Sequence, residues 1–510
     1  MIFCRMIIIL WIVFFTHPIL AKEKVQKKAK PKTVSLKIIP KKVVSQKMLS
    51  QKVIYDKPAL IAEINRIIES SSDAAIGIQI KSMKHGDYLY SKNESRLFIP
   101  ASTAKILTAE AALLYLGAEY RFPTSLLTDA TNLKPENGII QGNLYLVQSG
   151  DPTLTYYDLT DMMVTLKSLQ IQGVDGNVYI DNTAYDQENF GPGWIYDDKQ
   201  YCYSAPINAS IINHNCLSFQ ISPASKSGQL ASIVRSPRFF YGTIENAIIT
   251  KNPGTKGCYV QMDNSTDNLS VGGCVIRGRG LLGVSTVIEN IEEYNKELLT
   301  DLFKRYEIRV NGEIQEGEAL HHLTTIAVHH SDALHTLIYD MLKKSDNIIA
   351  GTLHKKMGEF FTSQPGTWQN GGEAVKQILA KKAFVDTRDL HIIDGSGLSP
   401  DNRIKPQQMM QVLDFAFHNY ANSYEFISGL PISGRDGTLK FRLHNVYNKV
   451  RAKTGSLAKS GVVALAGYAV SKDKEPIAFV IMINGHSGNV WKYREMEDKI
   501  VTALTNYQRG

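Results

Sequence analysis

The apolar pattern at the two ends of the chain constrains its fold most. Near the start, Leu60, Ile61, Ile64, Ile67 and Ile68 fall at helical spacing within residues 59–70. An apolar run at 75–80, a Gly86-Asp87 turn and an alternating segment at 88–90 follow, which predicts a hairpin. Near the end, residues 461–470 and 477–483 read as two apolar strands joined by a charged turn, and 491–507 as a helix. Helix–strand–strand at one end and strand–strand–helix at the other are satisfied together by one sheet. The expected domain is therefore assembled from both ends, flanked by helices and split around a long insertion. A further helix is expected over 101–116, after Pro100 and before Gly117. Inside the insertion, 142–147, 177–180, 217–221 and 258–262 read as strands and 157–169 as a helix. No repeat of fixed period is evident.

A chain of 510 residues suggests two to four domains, and 44% hydrophobic residues allow a sizeable core. The net charge of +8 invites a nucleic-acid partner, but its location argues against one. Residues 22–52 hold eleven lysines and a single acid, and the chain beyond them is slightly acidic. The segment before them has Arg5, then an apolar run over 6–15, then Ala21, the order of a secretory signal peptide over residues 1–21. Export to the periplasm is expected, an uncleaved anchor being the alternative. Residues 22–52 read as a solvated tether with weak attraction to an anionic membrane surface. No later apolar run reaches the roughly 20 residues of a spanning helix, which excludes a multi-pass membrane protein. Beyond Cys4 the cysteines are Cys202, Cys216, Cys258 and Cys274, an even set that suggests two disulfides with three connectivities open. They lack the close spacing of a zinc knuckle. His321, His322, His329, His330 and His335 lack a His-Glu-x-x-His arrangement, so neither a metal nor a cofactor is expected.

Three short motifs carry the chemistry. Ser102-Thr-Ala-Lys105 sets a serine and a lysine one turn apart at a helix start, where the dipole favours a developing alkoxide. A neutral lysine there takes the serine proton without a histidine. Alone the pattern is weak, since Ser456-Leu-Ala-Lys459 and Ser471-Lys-Asp-Lys474 match it too. Ser345-Asp-Asn347 lies between two apolar-periodic helices, and Lys453-Thr-Gly455 occurs just before the final strand pair. Glycine there lets a ligand approach a strand, while lysine and threonine can hold a carboxylate.

In this order the motifs resemble those of the active-site serine penicillin-recognising enzymes. The long segment between Ser102 and Ser345 is similar to that of the class C low-molecular-mass penicillin-binding proteins. So are Gly150-Asp-Pro-Thr-Leu154, Asp394-Gly-Ser-Gly-Leu-Ser399 and Ala452-Lys-Thr-Gly-Ser-Leu457. The resemblance implies an α/β (α+β) transpeptidase-like domain: an antiparallel sheet flanked by helices, a helical subdomain and two nested inserted β-rich domains. The catalytic domain would take residues 53–125 and 323–510, one inserted domain 126–150 and 222–322, and a nested one 151–221. It implies cleavage of D-Ala-D-Ala, or of a D,D cross-link in peptidoglycan, with β-lactams as covalent inhibitors. Ser102 would be acylated, Lys105 its base, Ser345 a proton relay and Asn347 a holder of substrate backbone. Lys453, Thr454 and Ser456 would hold the terminal carboxylate, and no deacylating acid can be assigned. A serine β-lactamase and a non-catalytic muropeptide binder on the same fold stay open, as does oligomeric state, a dimer included.

Asp394-Gly-Ser-Gly reads as a tight turn, and the resemblance implies that it lies near the site without a chemical role. The short-loop disulfides Cys202–Cys216 and Cys258–Cys274 are expected, the second flanking a turn through 263–268, and the resemblance implies cysteines at the same four places. In the subfamily an acid and an aromatic recognise a diamino-acid stem, together with an arginine and a glutamine. The first two match as Asp198 and Tyr203, but the arginine place holds Pro400 and the glutamine place Ala458. Arg403, three residues on, is the candidate replacement.

Overall fold

A computed structural model describes residues 53–69, 73–135, 137–199, 201–235, 242–263, 268–487 and 489–510. The expected signal peptide, the lysine-rich tether and residues 264–267 of the expected turn lie outside the described residues.

Both ends of the described chain build one five-stranded antiparallel sheet. Its elements are α1 (Lys57–Glu69), β1 (Ala75–Ser82), β2 (Tyr88–Lys92), α2 (Lys105–Tyr115), α3 (Leu334–Lys344), α4 (Asn347–Thr362), β3 (Val450–Leu457), β4 (Val462–Val470), β5 (Pro476–Asn484) and α5 (Val490–Thr505). The strand order is β3-β4-β5-β1-β2, with Ile78 opposite Ile481 where the two ends meet. On one face Leu60 and Ile64 of α1 pack with Ile500 and Leu504 of α5. On the other, Ile106 and Leu107 of α2 join Leu337, Met341 and Leu353 of the helical group. With both faces covered, residues 462–469 of β4 are all buried, which is why β4 and β5 read as unbroken apolar runs.

The expected helix at 101–116 divides. Ala101 takes φ 46°, Ala101–Ala104 form a 3-10 turn, and α2 starts only at Lys105. Thr103 supports the turn, its hydroxyl donating to the Pro100 carbonyl at 2.6 Å. Asn484 at the end of β5 fixes the approach, exchanging bonds of 2.7 and 3.1 Å with the backbone of Ile99.

A second five-stranded sheet runs Ile314–Glu316, Val178–Asp181, Leu144–Gln148, Pro123–Thr128, Thr324–His330. Leu144–Gln148 and Val178–Asp181 are parallel and are linked through the helix Tyr156–Ser168, whose N-cap Thr155 forms a capping box with Asp158. A parallel pair needs such a crossover, so this strand–helix–strand folds as one unit across the expected boundary at 150/151. The boundaries at 125/126 and 322/323 likewise fall inside Pro123–Thr128 and beside its partner Thr324–His330. The segment with a small core of its own is the lobe formed by Cys216–Ser222, Ser232–Arg235, Leu282–Val287 and the strands around Asn268–Ile276. Phe219, Ile221, Leu269, Val271 and Val275 fill it. Both expected disulfides are present, with Cα separations of 5.9 Å for Cys202–Cys216 and 5.3 Å for Cys258–Cys274.

Candidate active site

Two glycine-dependent contacts place the 3-10 turn at the focus of the domain, and a third docks the inserted segment beside it. A Cβ on Gly455 would lie 2.8 Å from the Pro100 carbonyl oxygen and 3.2 Å from the Ser102 nitrogen, so β3 can press on the turn only with glycine there. Gly397 has φ 79°, and its Cβ would stand 1.9 Å from the Ala101 carbonyl oxygen. The 394–399 loop therefore closes the other side. Gly193 lets the inserted segment settle on that loop, since a Cβ there would meet the Asp401 carboxylate at 2.5 Å.

Lys105 stands fully buried between these walls. Its Nζ donates to Asn347 Oδ1 at 2.5 Å, to the Ser396 carbonyl at 2.7 Å and lies 3.1 Å from Ser102 Oγ. Burial pulls its pKa down to about 7, against the opposing fields of Asp394 and Asp346. A substantial fraction of the amine is then neutral near pH 7 and can accept a proton from Ser102. Asn347 is the first residue of α4, and its Nδ2 donates to the Tyr203 carbonyl at 2.6 Å. Ser345 is the left-handed C-cap of α3, with φ 61°, and Asp346 caps α4 through the N–H groups of Ile348 and Ile349. The tripeptide thus projects from a tight junction between two helices. Lys453, on the edge strand β3, is also fully buried; its Nζ donates to Ser345 Oγ at 2.8 Å and to the Thr454 carbonyl at 2.8 Å. Burial first, and then the Lys105 ammonium, hold its pKa well below the ordinary lysine range. Thr454 Oγ1 is bonded to Thr438 Oγ1 at 2.8 Å, and Ser456 follows on the same strand. The structure gathers Ser102, Lys105 and Asn347 into one bonded group and Ser345 and Lys453 into a second, joined through the Ser345–Asn347 tripeptide, with Thr454 and Ser456 on the strand of Lys453.

The Asp394 turn has more to do than its sequence indicates. Its buried carboxylate accepts from the N–H groups of Ser396, Gly397 and Ser399, from Asn402 Nδ2 and, at 2.6 Å, from Trp194 Nε1. This shapes the loop so that the Ser396 carbonyl meets Lys105, and it locks the inserted segment to the catalytic domain. The clue in the sequence is the repeated small polar residues of Asp394-Gly-Ser-Gly-Leu-Ser399, which read equally well as an ordinary turn.

Asp198 accepts an ion pair from Lys459 at 3.2 Å, another partner the sequence did not suggest. Tyr203 stacks on Tyr201 with centroids 5.5 Å apart, and burial together with the Asp198 carboxylate pushes its phenol up to about 12. Arg403 turns back on its own loop, donating to the carbonyls of Pro400 and, at 2.9 Å, Asn402. Among the described residues no cluster of three or more His, Cys, Asp or Glu could hold a metal ion. Among the same described residues, no helix is long and apolar enough to cross a membrane.

Known proteins resemble this chain in sequence and in fold. The chain is 31% identical over 422 residues to D-alanyl-D-alanine carboxypeptidase DacB of Haemophilus influenzae, covering 81% of this chain and 86% of that one. It is 29% identical over 465 residues to the D-alanyl-D-alanine carboxypeptidase of Actinomadura, covering 87% and 84%. The crystal structure of penicillin binding protein 4 from Haemophilus influenzae superposes with a TM-score of 0.75 at 28% identity, over 87% of this chain and 98% of that one. The same protein complexed with a β-lactam gives 0.70 at 26% identity, over 86% and 98%. The profile of the D-Ala-D-Ala carboxypeptidase 3 (S13) family matches residues 60–507, which takes in both halves of the split sheet and everything between them. The chain belongs to that family.

Proposed function

We propose that Ser102 attacks the carbonyl of a D-Ala-D-Ala peptide or D,D cross-link, with Lys105 as general base. The protein is a serine D-Ala-D-Ala carboxypeptidase of the penicillin-binding class. The observation that carries the residue assignment is the buried Lys105, bonded between Ser102 and Asn347 with its pKa near 7. In the first step Ser102 Oγ bonds to the carbonyl carbon as its proton passes to Lys105. Collapse breaks the C–N bond, and Ser345, bonded to Lys453, relays a proton to the leaving amine. Asn347 holds the substrate backbone, and Lys453, Thr454 and Ser456 hold the terminal carboxylate. The N–H groups of Ser102 and Ser456 serve the developing oxyanion, a pair in which loss of one donor typically costs about 3–4 kcal/mol. Water then releases the acyl group. Asp394 is poorly placed to speed that step because five donors already engage its carboxylate. A long-lived penicilloyl adduct follows, in preference to β-lactamase turnover.

Asp198 and Tyr203 are proposed to take the side-chain ammonium of a diaminopimelate stem. The Lys459 ammonium on Asp198 is an example of the group that site would accept. Arg403 is proposed for the stem carboxylate, for which its guanidinium must leave the Pro400 and Asn402 carbonyls. The reading places the protein in the periplasm, with residues 22–52 in weak contact with the inner membrane surface.

Penicillin labelling followed by peptide mass mapping tests the nucleophile. The adduct is expected on Ser102 and absent from Ser102→Ala; an adduct retained in that variant refutes the assignment. For the stem, Asp198→Ala should lower kcat/KM on diaminopimelate peptides by about tenfold or more. Equal cleavage of diaminopimelate and lysine stems by wild type and Asp198→Ala would remove Asp198 and Tyr203 from the site.

A further inference from the structure

Beside the bonded cluster lies a cavity of about 390 Å³, whose walls come from two distant parts of the chain. Lys344, Ser345 and Asn347 form one side; the other comes from the inserted region, where His214, Ser218 and Ser285 line it. Of its lining residues, Ser345, Asn347 and Tyr203 have a part in the function above; His214, Lys344, Ser218 and Ser285 have none.

His214 reaches this cavity from an uncommon backbone. Asn213, His214 and Asn215 have φ of 53°, 59° and 50°, three successive non-glycine residues in the left-handed region, which L residues usually enter singly. The two flanking residues are fixed. Asn213 Nδ2 donates to the Tyr294 hydroxyl at 2.9 Å and its Oδ1 accepts from Tyr156 N at 3.2 Å. Asn215 Nδ2 donates to the Pro206 carbonyl at 3.1 Å and its Oδ1 accepts from Ile212 N at 3.2 Å. Between them the His214 side chain is 44% exposed, with Nδ1 3.8 Å from Asp346 Oδ2. Such strain persists only where the surroundings enforce it, and here they enforce the presentation of one imidazole. The other carboxylate oxygen of Asp346 is occupied in capping α4. Lys344 adds a cation at the rim, 67% exposed and shared with Asp340 at 2.9 Å. Opposite, the hydroxyls of Ser218 and Ser285 stand 3.0 Å apart on paired strands.

We propose that this cavity binds the second peptide of a cross-link, the strand released on cleavage, with His214 donating to one of its carboxylates and Lys344 adding charge at the rim. The proposal rests on the acyl-transfer reading above. There Ser345 passes its proton to the leaving amine, so a cavity walled by Ser345 opens on the leaving side. A departing D-alanine ends at the carboxylate that β3 holds, and requires nothing further. A cross-link releases a whole peptide with additional carboxylates, and that product needs a polar cavity with hydrogen-bond donors and a cation at its rim.

The test compares wild type, His214→Ala and Ser285→Phe, the last filling the cavity from an exposed strand position without changing charge. Three rates are measured: cleavage of a purified cross-linked muropeptide dimer, D-alanine release from the monomeric pentapeptide, and acylation by penicillin. Both variants should lose about tenfold or more in kcat/KM on the dimer, mainly through KM, and stay within twofold of wild type on the pentapeptide and penicillin. Dimer cleavage unchanged in both variants, or dimer and pentapeptide rates falling together, overturns the subsite while leaving the peptidase reading standing. A wild type that releases D-alanine but leaves the dimer intact also overturns it. A wild type that takes up no penicillin and releases no D-alanine overturns the peptidase reading and the subsite together.

Discussion

At the scale of single residues, the distinctive feature is a pair of buried lysines in one cluster. Lys105 and Lys453 are both desolvated; burial leaves Lys105 with a pKa near 7, and the Lys105 ammonium adds to the lowering of Lys453. The sign of the pH effect follows. Below pH 7 Lys105 is protonated and cannot take the Ser102 proton; above it the amine is neutral and can. Penicillin acylation, followed by stopped-flow mixing, should therefore rise tenfold per pH unit on the acid side and level off above about 7. Lys105→Ala should slow it by about 10²–10⁴-fold with the fold intact, as loss of a general base does. A rate independent of pH between 5 and 8 would show that another group accepts the proton.

At the scale of elements, the sequence displays its helices and strands well where one periodicity governs and poorly where tertiary contacts decide. The runs in β4 and β5 were legible because both faces of those strands are covered. The break at Ala101–Ala104 was not, because it depends on β3 and the 394–399 loop pressing on the turn, contacts remote in sequence. The three motifs picked out Ser102, Lys105, Ser345, Asn347 and Lys453, with their roles implied by the family resemblance. Lys459 on Asp198, the Ser396 carbonyl on Lys105 and the inward turn of Arg403 are side-chain directions, which no spacing encodes. The pairing that crosses the expected nesting boundary was illegible for a related reason. The family pattern divided the insertion by sequence blocks, while the parallel pair Leu144–Gln148 and Val178–Asp181 ties two blocks together. The disulfides act at this scale too. Cys202–Cys216 spans 14 residues beside Tyr203, so Cys202→Ala with Cys216→Ala should cost about 3 kcal/mol in the chain-entropy model. Thermal unfolding with and without reductant checks this: the double variant should melt below wild type without reductant, and, since it keeps only Cys258–Cys274, it should shift less than wild type on reduction.

At the scale of the whole molecule, the inserted region makes two kinds of contact. One part is fastened to the catalytic domain by Trp194 on Asp394 and by the Tyr203 carbonyl on Asn347. The other, the lobe between Ile221 and Leu282, packs largely on its own core and closes where those two residues face each other across an antiparallel pair. Replacing residues 222–281 with an Asn-Gly turn, and exchanging the uncovered Phe219 and Ile221 for threonine, should preserve the pairing of the two strands. Penicillin acylation of this shortened protein should stay within about threefold of wild type by gel fluorography with a labelled penicillin. A loss of acylation in a protein that still melts cooperatively would show that the lobe supports the site.

The sheet woven from both ends of the chain also sets a schedule for synthesis. Ser102 leaves the ribosome early, while Lys453 and the β3 strand arrive only after more than three hundred further residues. Until β4 and β5 slot in beside β1, the serine has neither its strand wall nor the second lysine. The lobe's local hairpins can form during that wait, whereas the catalytic sheet, built on contacts remote in sequence, must come last. A nascent chain stalled anywhere before Val450 is thus chemically silent, and reactivity toward a β-lactam becomes a stopwatch for completion of the polypeptide.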